Sequence, residues 1–271
     1  MPELPEITNL ARQMTKVLNG KRIARVEATQ PKCLNVPVRK FKRIVGKRFG
    51  ATKARGKWLF TRLEPNDNLL LSLGMGGDLL YHKDDSTIPA KHQLLLSFRD
   101  RSKLSVSFAW FGYIHLASDT DLPKHRMTSG LGILPTGEEF TVENLSSLLA
   151  GRRGAIKSLL LDQKNVAGIG NVYIQDILFK AGLHPLRLTQ TLTESETKAL
   201  HRSIGEVLNQ SIRLGGLKYE RDLYGRHGRY GPEQFLVAYK TDDPCPTCKT
   251  KISKIKTGST ASYICPKCQR L

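Results

Sequence analysis

The 271-residue chain has no long hydrophobic run. No stretch reaches the roughly 18 apolar residues that a membrane-spanning helix needs, so no membrane partner is expected. The N-terminus is acidic and no apolar run follows it, so no secretory signal peptide is visible. Internal repeats and low-complexity tracts are also missing. These absences predict a soluble, intracellular protein that acts in the cytoplasm.

Acidic residues are scarce relative to basic ones. The chain has 24 Asp and Glu against 43 Lys and Arg, which gives a net charge of +19 and a pI near 9.9. The basic residues run through the whole sequence and do not form a tail. A field of this sign and strength predicts a polyanionic partner, with nucleic acid as the first candidate. Charge alone does not distinguish DNA from RNA.

Cysteine is also sparse, with five residues. Four of them form two Cys-x-x-Cys pairs, Cys245/Cys248 and Cys265/Cys268, with sixteen residues between the pairs. This spacing predicts one Zn²⁺ ion held by four thiolates in a closed, structural site. Disulfides are rare in intracellular chains. The fifth cysteine, Cys33, is expected to be a small buried residue.

Hydrophobic spacing divides the chain into a strand-rich first half and a helical second half. Thr193 and Glu196 form a capping-box pattern at the start of the last long helix. The strand-rich half, to about residue 118, predicts a sandwich or a barrel. The predicted helices cover residues 7–18, 142–149, 155–161, 172–181 and 193–214, and the predicted strands cover 58–63, 69–73, 94–98, 104–108 and 113–116.

The first six residues, MPELPE, crowd two carboxylates and two prolines into an end that usually frays. The small ring of Pro2 favours removal of Met1, which would leave a secondary amine. Such an amine can attack an aldehyde carbon and form an iminium, an electron sink for elimination. Glu3 can move protons, and Glu6 can fix the end through the first backbone N–H groups or the amine. A sequence of this kind is more often only an ordinary helix start with acidic residues in its first turn.

The stretch VAGIGNVYIQDILFKAGLHP, residues 166–185, places glycines directly before a predicted helix. Gly168 and Gly170 allow the backbone to approach an anion closely, and Asn171 opens the helix. The N–H groups of that helix start suit a DNA phosphate. A packing corner between two helices explains this stretch equally well.

Six short stretches occur in a characteristic order along the chain. They are PELPE, GKWLF around Lys57, LGMGG around Met75, AIKSLLLDQ around Lys157, GIGNVY at Asn171 and the closing CPTC…CPKCQ. Together they resemble the family of formamidopyrimidine-DNA glycosylase and endonuclease VIII. The PELPE start is similar to the formamidopyrimidine branch, and the resemblance spans essentially the whole chain.

The resemblance implies an α+β multidomain fold with an N-terminal β-sandwich and flanking helices, a helix–two-turn–helix domain and a C-terminal zinc-finger β-hairpin. The expected domains are a catalytic domain at 1–127, a hinge linker at 128–141, a helix–two-turn–helix DNA-binding domain at 142–231 and a zinc finger at 232–271. Two basic lobes joined by a hinge predict a cleft for DNA. The loop 217–231, where the family caps an everted base, shows no obvious core residue and is expected to be mobile.

The implied activity is that of a bifunctional base-excision repair enzyme, a DNA glycosylase and AP lyase. It would act as a monomer in the bacterial cytoplasm on double-stranded DNA that carries a damaged base or an abasic site. By resemblance, the Pro2 amine attacks C1′, Glu3 is the general acid and base, Glu6 supports the site and Lys57 assists and binds phosphate. Successive β- and δ-eliminations would cut the strand on both sides of the sugar.

The resemblance also implies a set of DNA-binding residues. Met75 and Phe111 match the apolar wedges that fill the void left by an everted base. Outside these sequence contexts, a Met or a Phe is more often a core residue. Lys157 and Asn171 would hold phosphates or the lesion. The whole expected set is Met75, His92, Trp110, Phe111, Lys157, Asn171, Tyr173 and Lys254.

The chain departs from the family at the void-filling segment. The family has Asp-Pro-Arg-Arg-Phe-Gly there, and this chain has SFAWFG at 107–112. Ala109 therefore stands where an arginine reads the opposite cytosine, a contact worth about 1–3 kcal/mol of discrimination. Trp110 either stacks on a base, which tolerates many sequences, or is buried.

Two further departures lie in the second half of the chain. Thr260 stands at the position of the arginine that grips a phosphate in the zinc finger of the family. Lys254 and Lys256 are candidate substitutes, although an ammonium is a point charge and not a bidentate fork. Asp176 stands where the family has a glutamate.

These changes leave the acidic N-terminal arm intact and alter recognition. The sequence therefore predicts a DNA glycosylase and lyase whose lesion or opposite-base preference differs from that of the 8-oxoguanine:cytosine enzyme. Two alternatives stay open. A catalytically weak or silent protein that binds damaged or structured DNA would fit the missing recognition residues, and a zinc-ribbon RNA-binding or ribosome-associated protein would fit the charge.

Overall fold

The computed structural model describes all 271 residues, which divide into two compact units. The first unit is Met1–Gly130 with Leu214–Arg229, and the second is Leu131–Arg213 with Tyr230–Leu271. By its contacts the segment Leu214–Arg229 belongs to the first unit, whereas the sequence-based division placed it in the helical domain. The other expected boundaries stay predictions. None of the helices combines the length and apolar content that crossing a bilayer requires.

Helices and strands alternate in a mixed order along the chain. The helices are α1 (Leu4–Leu18), α2 (Val38–Phe41), α3 (Val142–Ala150), α4 (Ile156–Leu161), α5 (Tyr173–Lys180) and α6 (Glu194–Arg213). The strands are β1 (Ile23–Ala28), β2 (Arg48–Arg55), β3 (Trp58–Glu64), β4 (Asp67–Ser72), β5 (Asp78–His82), β6 (Leu94–Phe98), β7 (Lys103–Ser107), β8 (Tyr113–Ser118), β9 (Ser253–Thr257) and β10 (Thr260–Ile264).

The first unit is built on two four-stranded antiparallel sheets, in the orders β2-β3-β4-β8 and β1-β6-β7-β5. Inward-facing side chains of both sheets share one hydrophobic core with the apolar face of α1. Ile7, Leu10 and Met14 supply that face at helical spacing, and each is at most 2% exposed. Cys33 lies in the same core, as predicted. The β-sandwich and its flanking helix are therefore confirmed.

The five predicted strands are confirmed as β3, β4, β6, β7 and β8. The sequence missed β1, β2 and β5, and all three are edge strands of their sheets. An edge strand carries charged side chains and has a short apolar face, which weakens its sequence pattern. In β2, RFGATKAR, basic residues occupy three of the eight positions.

The loop after α6 is held by two core leucines. Leu217 and Leu223 are fully buried, and the carbonyl of Leu223 accepts a hydrogen bond of 2.8 Å from the backbone N–H of Tyr81. The prediction that no core residue orders this loop is therefore wrong. Isolated leucines between charged residues give no periodic signal, so only the tertiary structure reveals them.

The second unit contains α3 to α6 and the β9–β10 hairpin. At the start of α6 the backbone N–H of Thr193 donates to Glu196 Oε2 at 2.8 Å, and the N–H of Glu196 donates to Thr193 Oγ1 at 3.2 Å. This reciprocal pair confirms the predicted capping box.

Asp176 in α5 is 1% exposed and organises the chain that precedes the zinc finger. Its carboxylate accepts hydrogen bonds of 2.9–3.0 Å from the backbone N–H groups of Leu236, Val237 and Ala238. Burial raises the pKa of Asp176, and the three N–H donors act in the opposite direction. The acid at this position is therefore structural, since it accepts the hydrogen bonds of three consecutive backbone N–H groups.

Candidate active site and zinc centre

The N-terminal arm is fixed and does not fray. Pro2 is buried, and Glu3 and Glu6 are each 3% exposed. The backbone N–H of Glu3 donates to Glu6 Oε2 at 2.8 Å, and the N–H of Leu217 donates to Glu6 Oε1 at 3.0 Å. Glu6 thus binds a first-turn N–H group, as predicted, and also ties the arm to a distant segment. A charged acceptor makes both hydrogen bonds strong.

A peptide bond to Met1 occupies the nitrogen of Pro2. Its side chain is exposed, and its ammonium nitrogen lies 3.3 Å from Glu220 Oε1. Pro2 gains a free secondary amine only when Met1 is removed. Sequence reasoning missed Glu220, because no local pattern marks a carboxylate that reaches the N-terminus from the other end of the chain.

Lys57 is presented by a tight turn. Gly56 and Lys57 form the two-residue connection between β2 and β3, and Arg55 pairs with Trp58 across it. Gly56 has a φ of 62°, the conformation that the first position of a primed hairpin turn requires. Lys57 is partly exposed, so its ammonium can reach a ligand from a rigid hairpin.

Three large apolar side chains protrude from the first unit. Met75 is 48% exposed, Trp110 68% and Phe111 69%. They lie on two loops joined backbone to backbone, because the N–H of Met75 donates to the carbonyl of Trp110 at 2.8 Å and the N–H of Ala109 donates back to Met75 at 3.0 Å. Trp110 is therefore an exposed residue and not a buried one. Such a cluster on a charged surface marks an interaction site.

The backbone around these side chains is constrained. Phe111 adopts the left-handed conformation with a φ of 58°, which costs a non-glycine residue about 1–2 kcal/mol. A Cβ at Gly74 would lie 2.1 Å from the carbonyl oxygen of Trp110, so only glycine permits the close approach of the two loops. Strain of this kind is typical of functional sites. We name the three side chains of Met75, Trp110 and Phe111 the wedge.

His92 lies two residues before β6 and is partly exposed. Its Nδ1 is 3.1 Å from the carbonyl oxygen of Pro89, and its own carbonyl accepts a hydrogen bond of 2.5 Å from Thr29 Oγ1. These contacts fix the loop, and a phosphate-binding role for His92 stays a prediction.

In the second unit Asn171 and Tyr173 differ in exposure. Asn171 is partly exposed before α5, where its carbonyl and its side-chain oxygen accept hydrogen bonds from Gln175 Nε2 at 2.9 and 3.2 Å. Tyr173 is 1% exposed, and its hydroxyl lies 2.6 Å from Ser211 Oγ. This burial corrects the expectation of DNA contact for Tyr173, whose side chain packs α5 against α6.

Lys157 is also buried, with 3% exposure. Its Nζ donates to Thr257 Oγ1 and Thr260 Oγ1 at 3.0 Å, to the carbonyl oxygen of Ala261 at 2.7 Å and to Ser262 Oγ at 2.8 Å. Burial lowers the pKa of Lys157 to about 8. The expected phosphate contact is therefore replaced by a structural one, in which Lys157 fastens α4 to the β9–β10 hairpin.

Lys254 and Lys256 remain exposed on the outer face of β9. Lys254 Nζ lies 6.0 Å from the ring centroid of Tyr263, at the edge of cation–π range. The Thr260 hydroxyl is bound by Lys157. Lys254 and Lys256 are therefore the exposed cationic side chains that the hairpin offers to a phosphate.

The four predicted zinc ligands come together in the second unit. The Sγ atoms of Cys245, Cys248, Cys265 and Cys268 all lie within 4.8 Å of one another, with 3.9 Å between Cys245 and Cys268 and 3.4 Å between Cys248 and Cys265. A tetrahedral ion with Zn–S bonds of about 2.3 Å needs sulfurs about 3.8 Å apart. The cluster fits Zn²⁺, and four thiolates leave no open position, so the ion would be structural.

Comparisons with known proteins cover the whole chain. The family models described as the formamidopyrimidine-DNA glycosylase N-terminal domain, its H2TH domain and the zinc finger found in FPG and IleRS match residues 1–125, 131–221 and 242–271. Formamidopyrimidine-DNA glycosylases of Gluconobacter oxydans and Chloroflexus aggregans are 34% and 36% identical to it, over 100% of this chain and at least 99% of theirs.

Solved structures give the same result. Lactococcus lactis Fpg bound to DNA containing N7-benzyl-Fapy-dG superimposes with a TM-score of 0.91 at 30% identity, covering 100% of both chains. Its complex with DNA containing an abasic site also gives a TM-score of 0.91, at 30% identity over 99% of this chain and 100% of that one. The fold, the ordered motifs and these matches agree: the chain belongs to the formamidopyrimidine-DNA glycosylase family.

Proposed function

We propose that this chain is a bifunctional DNA glycosylase and AP lyase that excises oxidised or ring-opened bases from double-stranded DNA. The observation that carries the proposal is the rigid N-terminal arm, in which buried Pro2, Glu3 and Glu6 are fixed by two hydrogen bonds to Glu6. A protein that only binds DNA needs neither a buried acid pair nor a fixed terminal proline. Membership of a glycosylase family supports the same conclusion.

In the proposed reaction the Pro2 amine, freed by removal of Met1, forms a bond to C1′ of the damaged nucleotide. The C1′–base bond breaks, and the base leaves with the bonding electrons. The amine then loses its proton, the sugar ring opens at O4′, and the N–C1′ bond becomes an iminium. Glu3 gives or takes the protons in these steps.

The iminium then acts as an electron sink. Loss of a C2′ proton expels the 3′ phosphate by β-elimination, and a second proton loss expels the 5′ phosphate by δ-elimination. Lys57, on the tight hairpin between β2 and β3, would hold a phosphate by charge. The zinc site of the four cysteines would shape the hairpin and takes no part in these steps.

The wedge supports an altered preference. Ala109 has no side chain that can read a base edge, whereas its neighbour Trp110 is 68% exposed and free to stack. Stacking tolerates any base, and bidentate hydrogen bonding does not. The proposed enzyme therefore discriminates weakly between bases opposite the lesion.

A second candidate function is binding of damaged DNA without chemistry. It is favoured by the loss of the arginine at Ala109 and by the commitment of Lys157 and Thr260 to each other, which remove recognition contacts. It predicts tight binding to a duplex with an abasic site and no covalent intermediate.

Borohydride trapping separates the two functions. The processed protein, with removal of Met1 verified by mass spectrometry, is mixed with a duplex that carries an abasic site and reduced with borohydride. We expect a covalent adduct that maps to residue 2. Pro2→Gly should weaken trapping, and Glu3→Gln should lower base excision by about 10²-fold or more.

The matched control is Glu27→Gln, which removes an exposed carboxylate from the same unit without touching the arm. It should trap as well as the unchanged protein. Tight binding of the abasic duplex with neither an adduct nor strand cleavage would overturn the glycosylase proposal in favour of the binding protein.

A further inference from the structure

The segment Leu214–Arg229 is mounted directly on the N-terminal helix. Beyond the bond from Leu217 to Glu6, the backbone N–H of Leu223 donates to Gln13 Oε1 at 2.9 Å, and Gln13 Nε2 donates to Asp222 Oδ2 at 3.0 Å. Glu6 and Gln13 lie about two helical turns apart on α1. The segment is therefore fastened to the catalytic arm at two points.

Glycines allow the segment to approach the arm this closely. A Cβ at Gly216, which has a φ of 93°, would lie 2.9 Å from Glu6 Oε1. A Cβ at Gly228 would lie 2.1 Å from the carbonyl oxygen of Gly216. A side chain at Gly228 would require a backbone shift, and one at Gly216 would displace the Glu6 side chain and would be strained at this positive φ.

Glu220 lies at the point of this segment that faces the N-terminus. Its Oε1 is 3.3 Å from the Met1 nitrogen, and its side chain is 10% exposed. Its backbone is held on both sides, because its N–H donates to Leu217 at 3.1 Å and its carbonyl accepts from Gly228 at 3.3 Å. Glu220 is therefore a fixed, partly buried carboxylate beside the terminal nitrogen.

Other charged groups nearby are already engaged. Asp78 pairs with Arg221 at 3.3 Å, and Glu6 accepts two backbone N–H groups. Glu3 lies next to Pro2 in the chain. Burial raises the pKa of Glu220, while the terminal ammonium lowers it. Glu220 is thus the carboxylate that forms an ion pair with the terminal amine.

Removal of Met1 keeps this carboxylate within range of the new terminus. The nitrogens of Met1 and Pro2 are separated by one Cα and one carbonyl carbon, which span at most about 3.7 Å. The Pro2 nitrogen therefore lies within about 7 Å of Glu220 Oε1 in the present arrangement, and rotation of the glutamate side chain can shorten this distance.

We propose that Glu220 is a positioning residue that provides the counter-charge for the Pro2 nitrogen, which is cationic as an ammonium before the reaction and as an iminium during it. This role rests on the proposed Schiff-base chemistry. A fixed carboxylate favours both cations over the neutral amine. It therefore raises the pKa of the amine and also stabilises the covalent intermediate from which elimination proceeds.

The test starts without DNA. The pKa of the Pro2 amine is measured by NMR titration of processed protein that carries isotopic label in proline. Glu220→Gln, which keeps the shape and removes the charge, should lower that pKa by about one unit. Glu220→Asp should lower it less. Asp85→Asn, which removes an exposed carboxylate from the same unit, should leave it unchanged.

The second measurement is borohydride trapping on an abasic duplex as a function of pH. With Glu220→Gln, the pH at which adduct formation is half-maximal on the acid side should fall by the same amount as the pKa of the amine. The plateau yield of adduct at high pH should fall several-fold. Affinity for an uncleavable tetrahydrofuran duplex should stay within about twofold. An unchanged amine pKa in Glu220→Gln would overturn the inference, whether or not the protein forms an adduct. No adduct in the unchanged protein, together with the predicted shift in amine pKa, would overturn only the glycosylase proposal.

Discussion

At the scale of single residues, the proposed recognition of the opposite base depends on the loop that carries Trp110. Ala109 and Trp110 stand at adjacent positions of a loop that a backbone bond to Met75 holds in place. The first has no hydrogen-bonding side chain, and the second offers a large exposed ring. A base opposite the lesion would therefore contact an aromatic ring that can stack on it, and no arginine side chain that donates two hydrogen bonds.

Excision of 8-oxoguanine opposite each of the four bases tests this arrangement. We expect rates within about tenfold of one another, because a bidentate contact worth about 1–3 kcal/mol is missing. Trp110→Ala should slow excision opposite every base by a similar factor of about tenfold.

Ala109→Arg should raise the preference for cytosine by about fivefold or more, and Ala109→Lys serves as its control, because an ammonium lacks the fork. Tight selectivity for cytosine in the unchanged protein would contradict the weak discrimination expected here.

At the scale of elements, Lys157 links α4 to the zinc hairpin. One ammonium with three hydrogens is shared among four acceptors at 2.7–3.0 Å, with no carboxylate among them. A buried cation without a counter-charge is costly, and its pKa of about 8 reflects that cost. The hairpin is therefore held by polar contacts whose strength depends on pH.

The stability of this contact should rise with pH. Below a pH of about 8 Lys157 is charged in both the folded and the unfolded chain, and the full burial cost applies. Between about 8 and 10.5 the unfolded chain binds more protons than the folded one, so the free energy of unfolding increases with pH. The gain approaches about 3 kcal/mol, at about 1.4 kcal/mol per pH unit.

Lys157→Met removes this titration and keeps a similar side-chain length. The free energy of unfolding of both proteins is measured with zinc bound at pH 7.5 and at pH 10. Relative to Lys157→Met, the unchanged protein should be more stable at pH 10 than at pH 7.5. A constant difference would show that Lys157 titrates normally in the folded chain.

At the scale of the whole molecule, the chain joins a hydrophobic sandwich to a unit whose last thirty residues have little core. The small cluster around the cysteines contains Phe179, Val237, Ile252 and Tyr263 as its main apolar members. So small a core is stable when a metal supplies folding free energy. The zinc finger and the sandwich therefore have different sources of stability.

Chelation of zinc should unfold the finger selectively. Hydrogen exchange in β9 and β10 should increase by orders of magnitude, while β3, β4, β6 and β7 of the sandwich stay protected. DNA affinity should fall about tenfold or more, because Lys254 and Lys256 lose their fixed positions. Cys248→Ser should reproduce these effects, and Cys33→Ser, in the sandwich core, should leave zinc binding unchanged. Retained protection of β9 and β10 after chelation would contradict this dependence on the metal.

Much of the fold could be predicted from local patterns. A pattern of a few residues was enough to predict central strands such as β4 and β6, the amphipathic face of α1 and the capping box at Thr193. Side-chain periodicity and backbone capping are short-range effects. The zinc site belongs to the same class, since the spacing of its four cysteines already contains the ligand set. The edge strands β1 and β2 were missed because charged residues interrupt their apolar pattern.

The candidate site itself depended on pairings across the chain. The role of Glu6 in fixing the N-terminus could be predicted from the sequence, but its hydrogen bond with Leu217 could not. Nothing in the sequence near Glu220 marks it as a partner of the N-terminal amine. The sequence around Lys157 is compatible with contact to a phosphate and with contact to the hairpin. Only the packing of the chain buries its ammonium group. The sequence by itself determined the long helices, five of the strands, the zinc ligands and the family. The tertiary structure alone decided which charges are buried and which of them meet, because burial and proximity are properties of the packed chain and not of any segment in it.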